Sequence, residues 1–535
     1  MQNVEPERRW RSLQMIACLL LLYTMASGRC LSAERPNIVL IMCDDMGYSD
    51  IGCMGSEIET PHIDSLARDG MLFTQFYNNA KCTTTRASII TGLYPRPKGG
   101  LLKPNMVTIP EVLRTAGYHT ALTGKWHLGA KAPRRPSDRG FHEYYGLLDG
   151  CCNFFNPIQP DPKFKGGRIR KFFDNDKPVT KFPDDYYTTD AFTDYAIDVI
   201  EKSANAGAGG QKPFFLHVCY TAPHYPLHAK PADIKKYKGR YKIGWDALRK
   251  QRYKKQLELG LVEASWKHPD PNREVKPWTE ETDHDWQDLR MAVYAATIDN
   301  MDQNIGRLLK SLENTGQADN TIVMFLSDNG GCAEEPGGAD RKQIPGPKEY
   351  YAHVGPGWAW AQNSPFRRYK QWVHEGGIST PLLVRWPGIV KAGSRTNQVS
   401  HIIDIMATCC ELSETSYPAK YNDKPILPLE GRSLVPILKG EQREPHETLC
   451  WEWSNSRAIR QGDMKLCWDR GVQKWELYNV VSDRTETQDL SEQHPERVES
   501  MSKAWFEWAK KTTVRTTPKK KSPPKTKQKQ AAGSK

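Results

Sequence analysis

Asn37-Ile-Val-Leu-Ile-Met-Cys43 runs straight into Asp44-Asp45. A continuous apolar run of this length, with no polar alternation, reads as a strand buried on both faces, the mark of a mainly parallel sheet. Three further stretches repeat the pattern. Tyr118 to Leu122 leads into Thr123-Gly-Lys-Trp-His127, Phe214 to Tyr220 into Thr221-Ala-Pro-His224, and Thr321 to Leu326 into Ser327-Asp-Asn-Gly-Gly331. Helical patterns lie between them, over 107–116 and 292–314. Strands alternating with helices predict an α/β fold, a large mainly parallel or mixed sheet sandwiched by helices. Ligands of such sheets bind beyond the carboxyl ends of the strands. Asp44, Asp45, Lys125, His127, His224, Asp328 and Asn329 all follow strands, so the reading gathers them around one mouth.

Outward from this core the composition changes. After about residue 440 the runs Thr448 to Trp453, Arg457 to Trp468 and Val472 to Val480 are short, Trp-rich and separated by turns. They predict an antiparallel sheet. Residues 495–510 follow as a helix with Val498, Met501, Trp505 and Trp508 on one face. The expected organisation is an exported leader over 1–33, a catalytic α/β domain over 34–440, a small α+β subdomain over 441–511 and a basic tail over 512–535. The leader reading rests on the apolar stretch Met15 to Met25, preceded by Arg8, Arg9 and Arg11 and followed by Ala26-Ser27-Gly28 and Ser32-Ala33. That stretch is shorter than the roughly 20 residues a membrane span needs, so a secreted or periplasmic protein without a transmembrane anchor is expected.

The chain has 535 residues and a net charge of +12, which at first suggests nucleic acid. Ten of its Lys and Arg residues, however, fall in 510–535 with no acid among them. The body is therefore nearly neutral, and no specific nucleic-acid partner is expected. The Lys/Pro/Thr-rich tail is expected to be disordered, and reads either as a tether to polyanions or as a solvated extension. Thirteen cysteines are present, and their spacing dictates no disulfide pairing.

Asp44-Asp45 and Asp328-Asn329 offer only oxygen donors, which select calcium or magnesium over zinc. A helix starting near Cys82 and ending at Gly92 would put Cys82 and Arg86 on one face, at an N-terminus suited to anions. The stretch Ala80-Lys-Cys82-Thr-Thr-Thr-Arg86-Ala-Ser-Ile-Ile-Thr-Gly92 resembles the modification signature of the type I, formylglycine-dependent sulfatases of the alkaline phosphatase superfamily. Thr84 stands where that family usually has proline. Gly117-Tyr-His-Thr-Ala-Leu-Thr-Gly-Lys125-Trp-His127 resembles the second signature, and Thr221-Ala-Pro-His224-Tyr-Pro226 the family's P-H-x-P segment. The likeness covers roughly 35–490, including Trp475-Glu-Leu-Tyr478 and Asp483-Arg-Thr-Glu486.

The resemblance implies an arylsulfatase-like hydrolase of sulfate monoesters. Cys82, oxidised to formylglycine by a formylglycine-generating enzyme or equivalent maturase, would supply the nucleophile. Asp44, Asp45, Cys82 as modified, Asp328 and Asn329 would hold one divalent cation, usually Ca2+ and less often Mg2+. Lys125, Lys370 and His224 would bind substrate. Arg86 would help to position and neutralise the sulfate, His127 would assist sulfate release, and His224 would protonate the leaving group. His374, near Lys370, reads as a packing or hydrogen-bonding residue. Asn153-Phe-Phe-Asn156 and the segment 332–363, with Tyr350, Tyr351, Trp358 and Trp360, read either as walls for a sugar or aryl group or as ordinary loop packing. The insert 226–290, rich in Lys, Arg and Trp, carries the same ambiguity for further sulfates of a sulfated polysaccharide. Two alternatives stay open: a phosphate or phosphonate ester hydrolase of the same superfamily, or a non-catalytic sulfated-polymer binding protein if Cys82 is not converted. The two-zinc relatives need a second set of His and carboxylate ligands, which the sequence does not show.

Overall fold

A computed structural model describes residues 35–96, 101–205 and 212–514. The expected leader and nearly all of the basic tail lie outside these residues. The apolar run that opened the reading becomes β1 (Asn37–Asp44), buried along its whole length. In chain order the other sheet strands are β2 (Met71–Tyr77), β3 (His119–Gly124), β4 (Glu143–Leu147), β5 (Phe172–Asp174), β6 (Lys177–Pro178), β7 (Phe214–Pro223), β8 (Thr321–Ser327), β9 (Ser379–Arg385), β10 (Ser394–Thr396) and β11 (Ser400–His401). They form one mixed sheet in the order β10-β2-β9-β8-β1-β7-β3-β4-β5-β6, with β11 also on β2. The middle is parallel: β1 pairs with β7 and β8, and β3 with β7 and β4. β9 is antiparallel to both β2 and β8.

The pleat sends alternate residues of β1 into separate cores. Val39, Ile41 and Cys43 join the layer that includes the long helix His284–Asn314 and the helix Thr188–Ala204. Ile38, Leu40 and Met42 join the layer formed by the helices Cys82–Thr91, Ile109–Thr115 and Asp404–Leu412. Each such aliphatic side chain contributes about 1.5–3 kcal/mol by leaving water, so both faces hold the central strands. The fold is thus the helix-covered sheet that the sequence predicts. The segment read as 292–314 starts earlier, because Asp283 caps the helix by accepting from the Trp286 N–H at 3.1 Å.

A short hairpin, β12 (Lys420–Tyr421) and β13 (Lys424–Pro425), precedes the C-terminal sheet. That sheet is an antiparallel meander of β14 (Leu449–Trp453), β15 (Ser456–Gln461), β16 (Met464–Asp469) and β17 (Lys474–Asn479). The run read as 457–468 is two strands. Gly462 adopts φ 57°, which permits a two-residue turn between the paired Gln461 and Met464. Met501, Trp505 and Ala509 of the helix Pro495–Thr512 pack on Cys450, Ile459, Leu466 and Leu477. Buried polar links fasten this sheet to the large one. Lys465 Nζ meets Glu375 Oε1 at 2.7 Å and Glu486 Oε1 at 2.9 Å, while Arg484 Nε donates to Glu375 Oε2 at 2.9 Å. None of the described cysteines is in a disulfide. No described helix is long and apolar enough to cross a membrane.

Candidate active site

Parallel register sets the floor of the site. Cys43 pairs with Ser327, so the residues after β1 and β8 emerge side by side. Asp45, at φ 68°, turns back so that its N–H donates to Asp328 Oδ1 at 3.2 Å. Asn329 Nδ2 donates to Asp45 Oδ1 at 2.7 Å. Four oxygen-bearing side chains, Asp44, Asp45, Asp328 and Asn329, thus lie together, all buried.

Cys82 is the first residue of its helix and only 2% exposed. The chain enters that helix through a knot of local bonds: Thr84 Oγ1 donates to Lys81 O at 2.8 Å, and the Asn79 N–H donates to Thr85 Oγ1 at 2.9 Å. Gly92, at φ 68°, ends the helix in the left-handed conformation that favours glycine. Arg86, one turn after Cys82, donates from Nε to Asp328 Oδ2 at 3.1 Å and from Nη1 to Lys125 O at 2.9 Å. It is a strut between the helix, the end of β3 and the end of β8.

Lys125 follows Gly124, whose φ is 100° and where a Cβ would lie 2.0 Å from Cys219 O. The glycine lets β3 bend so that Lys125 Nζ reaches Asp44 Oδ2 at 2.5 Å. Burial opposes the Lys125 charge, but Asp44, Cys82 and Asp328 together outweigh it and raise the ammonium pKa. His127 Nδ1 is 3.6 Å from Cys82 Sγ. Burial, then Lys125 and Arg86, push the His127 pKa well down, favouring a neutral imidazole. His224 gives Nδ1 to Tyr225 O at 2.5 Å and turns Nε2 toward Asp45 Oδ2 at 3.3 Å. Its pKa is also pushed well down, by burial and then by Lys370 and Lys125. Lys370 Nζ lies 2.7 Å from Asp45 Oδ2 and 2.9 Å from Glu334 Oε2. Every residue selected from the sequence for the site is therefore in one cluster, all of it buried except the partly exposed His127.

The cluster tests directly for a cation. Asp44 Oδ1 and Asn329 Oδ1 are buried and accept no hydrogen bond from any described residue. Buried oxygens without partners are costly unless something satisfies them. Ligand atoms of Asp44, Cys82 and Asp328 lie within 4.8 Å of one another, as do those of Asp44, Asp45 and His224. Burial and then the neighbouring Asp328 raise the Asp44 pKa, a tension that a cation would relieve. The donors are predominantly hard oxygens and fit a divalent cation of the calcium or magnesium type.

The sequence reading passed over Glu334. Its carboxylate receives Lys81 at 3.1 Å, Lys370 at 2.9 Å and Gln371 at 2.6 Å. Burial opposes ionisation, yet Lys370 and Lys81 hold its pKa far below the ordinary range. The one signal was its position three residues after Gly331, in a segment with no motif.

Other candidates separate. Trp358 and Trp360 are core residues, Trp358 packed edge-on to Trp245 and Tyr241, and Trp360 under Arg249. Phe154 is buried against Tyr187 and His228, whereas Tyr351 borders the mouth beside Tyr225. His374 bonds Glu476 at 3.0 Å, away from the cation-site oxygens. The insert 226–290 turns key cations inward: Arg252 meets Asp50 at 2.6 Å and Glu57 at 2.8 Å.

Carboxylates at parallel strand ends, with lysines and imidazoles converging on a helix-start thiol, define an ester hydrolase for anionic oxoesters, built on the alkaline phosphatase plan. Residues 36–415 match the Sulfatase family model, and 367–507 match the model described as N-sulphoglucosamine sulphohydrolase, C-terminal. The chain belongs to the sulfatase family and is a sulfuric ester hydrolase. It is 31% identical to an uncharacterized sulfatase of Schizosaccharomyces pombe, over 92% of this chain and 97% of that one. It is also 31% identical to an arylsulfatase of Klebsiella aerogenes, over 77% of this chain and 93% of the relative. Among solved structures, Ps i-CgsB in complex with k-i-k-neocarrahexaose aligns with a TM-score of 0.66 and 26% identity, over 89% of this chain and 93% of that one.

Proposed function

We propose that this protein is an exported, calcium-dependent sulfatase that removes sulfate from sulfated polysaccharide, using residue 82 after its conversion to formylglycine by a maturase. The observation that carries the reading is the placement of Cys82 Sγ, 3.6 Å from His127 and within 4.8 Å of carboxylate oxygens of Asp44 and Asp328. Support for a carbohydrate substrate comes from the complex of Ps i-CgsB with neocarrahexaose and from the tyrosines at the mouth. Support for export comes from the leader-like 1–33, with 34–440 as the catalytic domain, 441–511 as its C-terminal subdomain and 512–535 as a basic tail.

Formylglycine, as its hydrate, would supply the attacking hydroxyl at position 82. A cation held by Asp44, Asp45, Asp328, Asn329 and the modified residue 82 would polarise the sulfate. The chain's own groups do the rest. Lys125 and Lys370 present fixed ammonium groups to sulfate oxygens, and Arg86 holds the floor rigid, so little reorganisation accompanies charge movement. His224, its Nδ1–H donated to the Tyr225 carbonyl, first takes up a proton at Nε2, which faces Asp45 Oδ2, and as the imidazolium gives it to the departing ester oxygen as general acid. His127, kept neutral by burial, accepts a proton at residue 82 and so assists release of inorganic sulfate.

The experiment is the Cys82→Ala variant beside the native protein, with the mass of the residue-82 peptide measured in both. Expected are a native peptide lightened by the replacement of the thiol sulfur and two hydrogens with one oxygen, turnover of 4-nitrophenyl sulfate exceeding that of 4-nitrophenyl phosphate, and no turnover by the folded variant. Full activity in Cys82→Ala would sink the assignment. A phosphate preference would favour the phosphoester reading, and an unconverted Cys82 without turnover the binding-protein reading.

A further inference from the structure

Among the described residues, one cation at the mouth has no counter-charge. Lys165 belongs to the short turn Lys163–Lys165 in the connection between β4 and β5. Its Nζ donates to Tyr351 Oη at 2.8 Å and lies 4.9 and 5.0 Å from the ring centroids of Tyr225 and Tyr351. Its other polar neighbour is Cys151 Sγ at 3.9 Å, and among the described residues it pairs with no carboxylate. The acids around it are already taken. Asp161 holds Arg170 at 2.5 Å, Glu335 holds Arg290 at 2.6 Å, and Glu334 holds Lys370 and Lys81.

The place of this charge relative to the chemistry is specific. Tyr225 stands between Lys165 and the reaction: its ring centroid is 4.1 Å from that of His224 and 6.0 Å from that of Tyr351. His224 is the group assigned to protonate the leaving oxygen, so Lys165 stands one aromatic ring beyond the leaving-group side of the site. The turn that carries it is braced. Lys171 N–H donates to Asp149 Oδ2 at 2.7 Å, and Asp161 N–H to Arg168 O at 2.9 Å. Phe164 packs edge-on against Tyr351 at 5.7 Å. An ammonium fixed over two aromatic faces and left uncompensated is preorganised to meet an anion with little further loss of ordering entropy.

We infer that Lys165, Tyr225 and Tyr351 form a subsite for a second anionic group on the sugar being released, either a further sulfate or a uronate carboxylate. The two tyrosine rings hold the Lys165 ammonium in place, and the ammonium meets the charge. The inference rests on the sulfatase reading above. It makes the enzyme selective for multiply charged substrates by attraction at a position separate from the sulfate that is cleaved.

The test uses the full, formylglycine-bearing enzyme and matched disaccharides carrying one cleavable sulfate, alone, with a second sulfate, or with a uronate carboxylate. Expected is at least a tenfold higher kcat/KM for one of the doubly charged substrates, carried mainly by KM and shrinking with added salt. Lys165→Met, which keeps the apolar stem, should bring that ratio to within about threefold of unity, and Lys165→Arg should restore part of it. Tyr351→Phe removes only the anchoring hydroxyl and should lower the ratio even if Lys165→Met proves unstable. The sulfate and carboxylate arms identify which anion is read. Native turnover without preference for either doubly charged substrate, or an unchanged preference in both Lys165→Met and Tyr351→Phe, overturns the subsite. Absence of turnover on every sulfate ester, with formylglycine verified, would overturn the sulfatase reading instead.

Discussion

At the scale of single residues, Gly150 shows how tightly the imidazole beside residue 82 is held. A Cβ at this position would sit 2.5 Å from His127 Cε1 and 2.7 Å from its Nε2. Gly150→Ala must therefore tilt the ring, while the rest of the pocket stays in place. Displacements near 1 Å cost catalysis on the order of 100-fold, so kcat for an aryl sulfate should fall by about that factor with the melting temperature little changed. A variant retaining native kcat would show that His127 has room to move. Much of the pocket was legible residue by residue, because each polar group directly follows an apolar run and strand ends converge. Glu334 was not, because its role comes from meeting Lys81 and Lys370 in space, and neither contact leaves a trace in local spacing. Trp358 and Trp360 stayed ambiguous for a related reason: an aromatic in a long loop looks the same whether it lines a pocket or fills the core.

At the scale of elements, the joint between the two sheets depends on buried charge. Lys465 on β16 is shared by Glu375 and Glu486, and Arg484 completes the group, with all four side chains nearly inaccessible. Removing one member strands the others, so Lys465→Met should lose roughly 3–5 kcal/mol in denaturant unfolding. A loss below about 1 kcal/mol would show that the joint relaxes around a neutral side chain. The same joint sets an acid limit. Burial would raise the Glu375 pKa, but Lys465 and Arg484 outweigh it and lower it from 4.5 to about 2. The folded state thus binds this proton less readily than the unfolded chain. The stabilisation is complete above pH 4.5 and disappears as pH falls toward 2. The native protein should lose stability across that window, and Glu375→Gln should flatten the loss; an unchanged profile would assign acid sensitivity elsewhere. The strands of the large sheet could be read because continuous apolar runs are distinctive. The split of 457–468 was missed because its turn is only two residues long, Gly462-Asp463, inside an otherwise strand-like run.

At the scale of the whole molecule, the proposed cation site would join distant parts of the chain, since its oxygens come from the ends of β1 and β8. Binding there should stabilise the fold as a whole. Calcium at 100 times its dissociation constant would add about 2.7 kcal/mol, visible as a raised melting temperature and reversed by EDTA. Cys82→Ala is useful here because its readout is thermal and independent of turnover, although loss of one ligand should weaken the effect. Native protein indifferent to both calcium and chelator would remove the cation from the account. Cys82 itself carries a consequence for biogenesis. It is 2% exposed, at the start of a helix whose residues are nearly all buried. No second enzyme could grip the residues around it once the sheet has closed. If residue 82 is matured to formylglycine as proposed, oxidation would belong to the interval between synthesis and folding, and a chain that folded first would stay inert for as long as it stayed folded. Under that proposal the fraction of active molecules would be decided by a race between two rates, and slower folding would raise the yield of active enzyme.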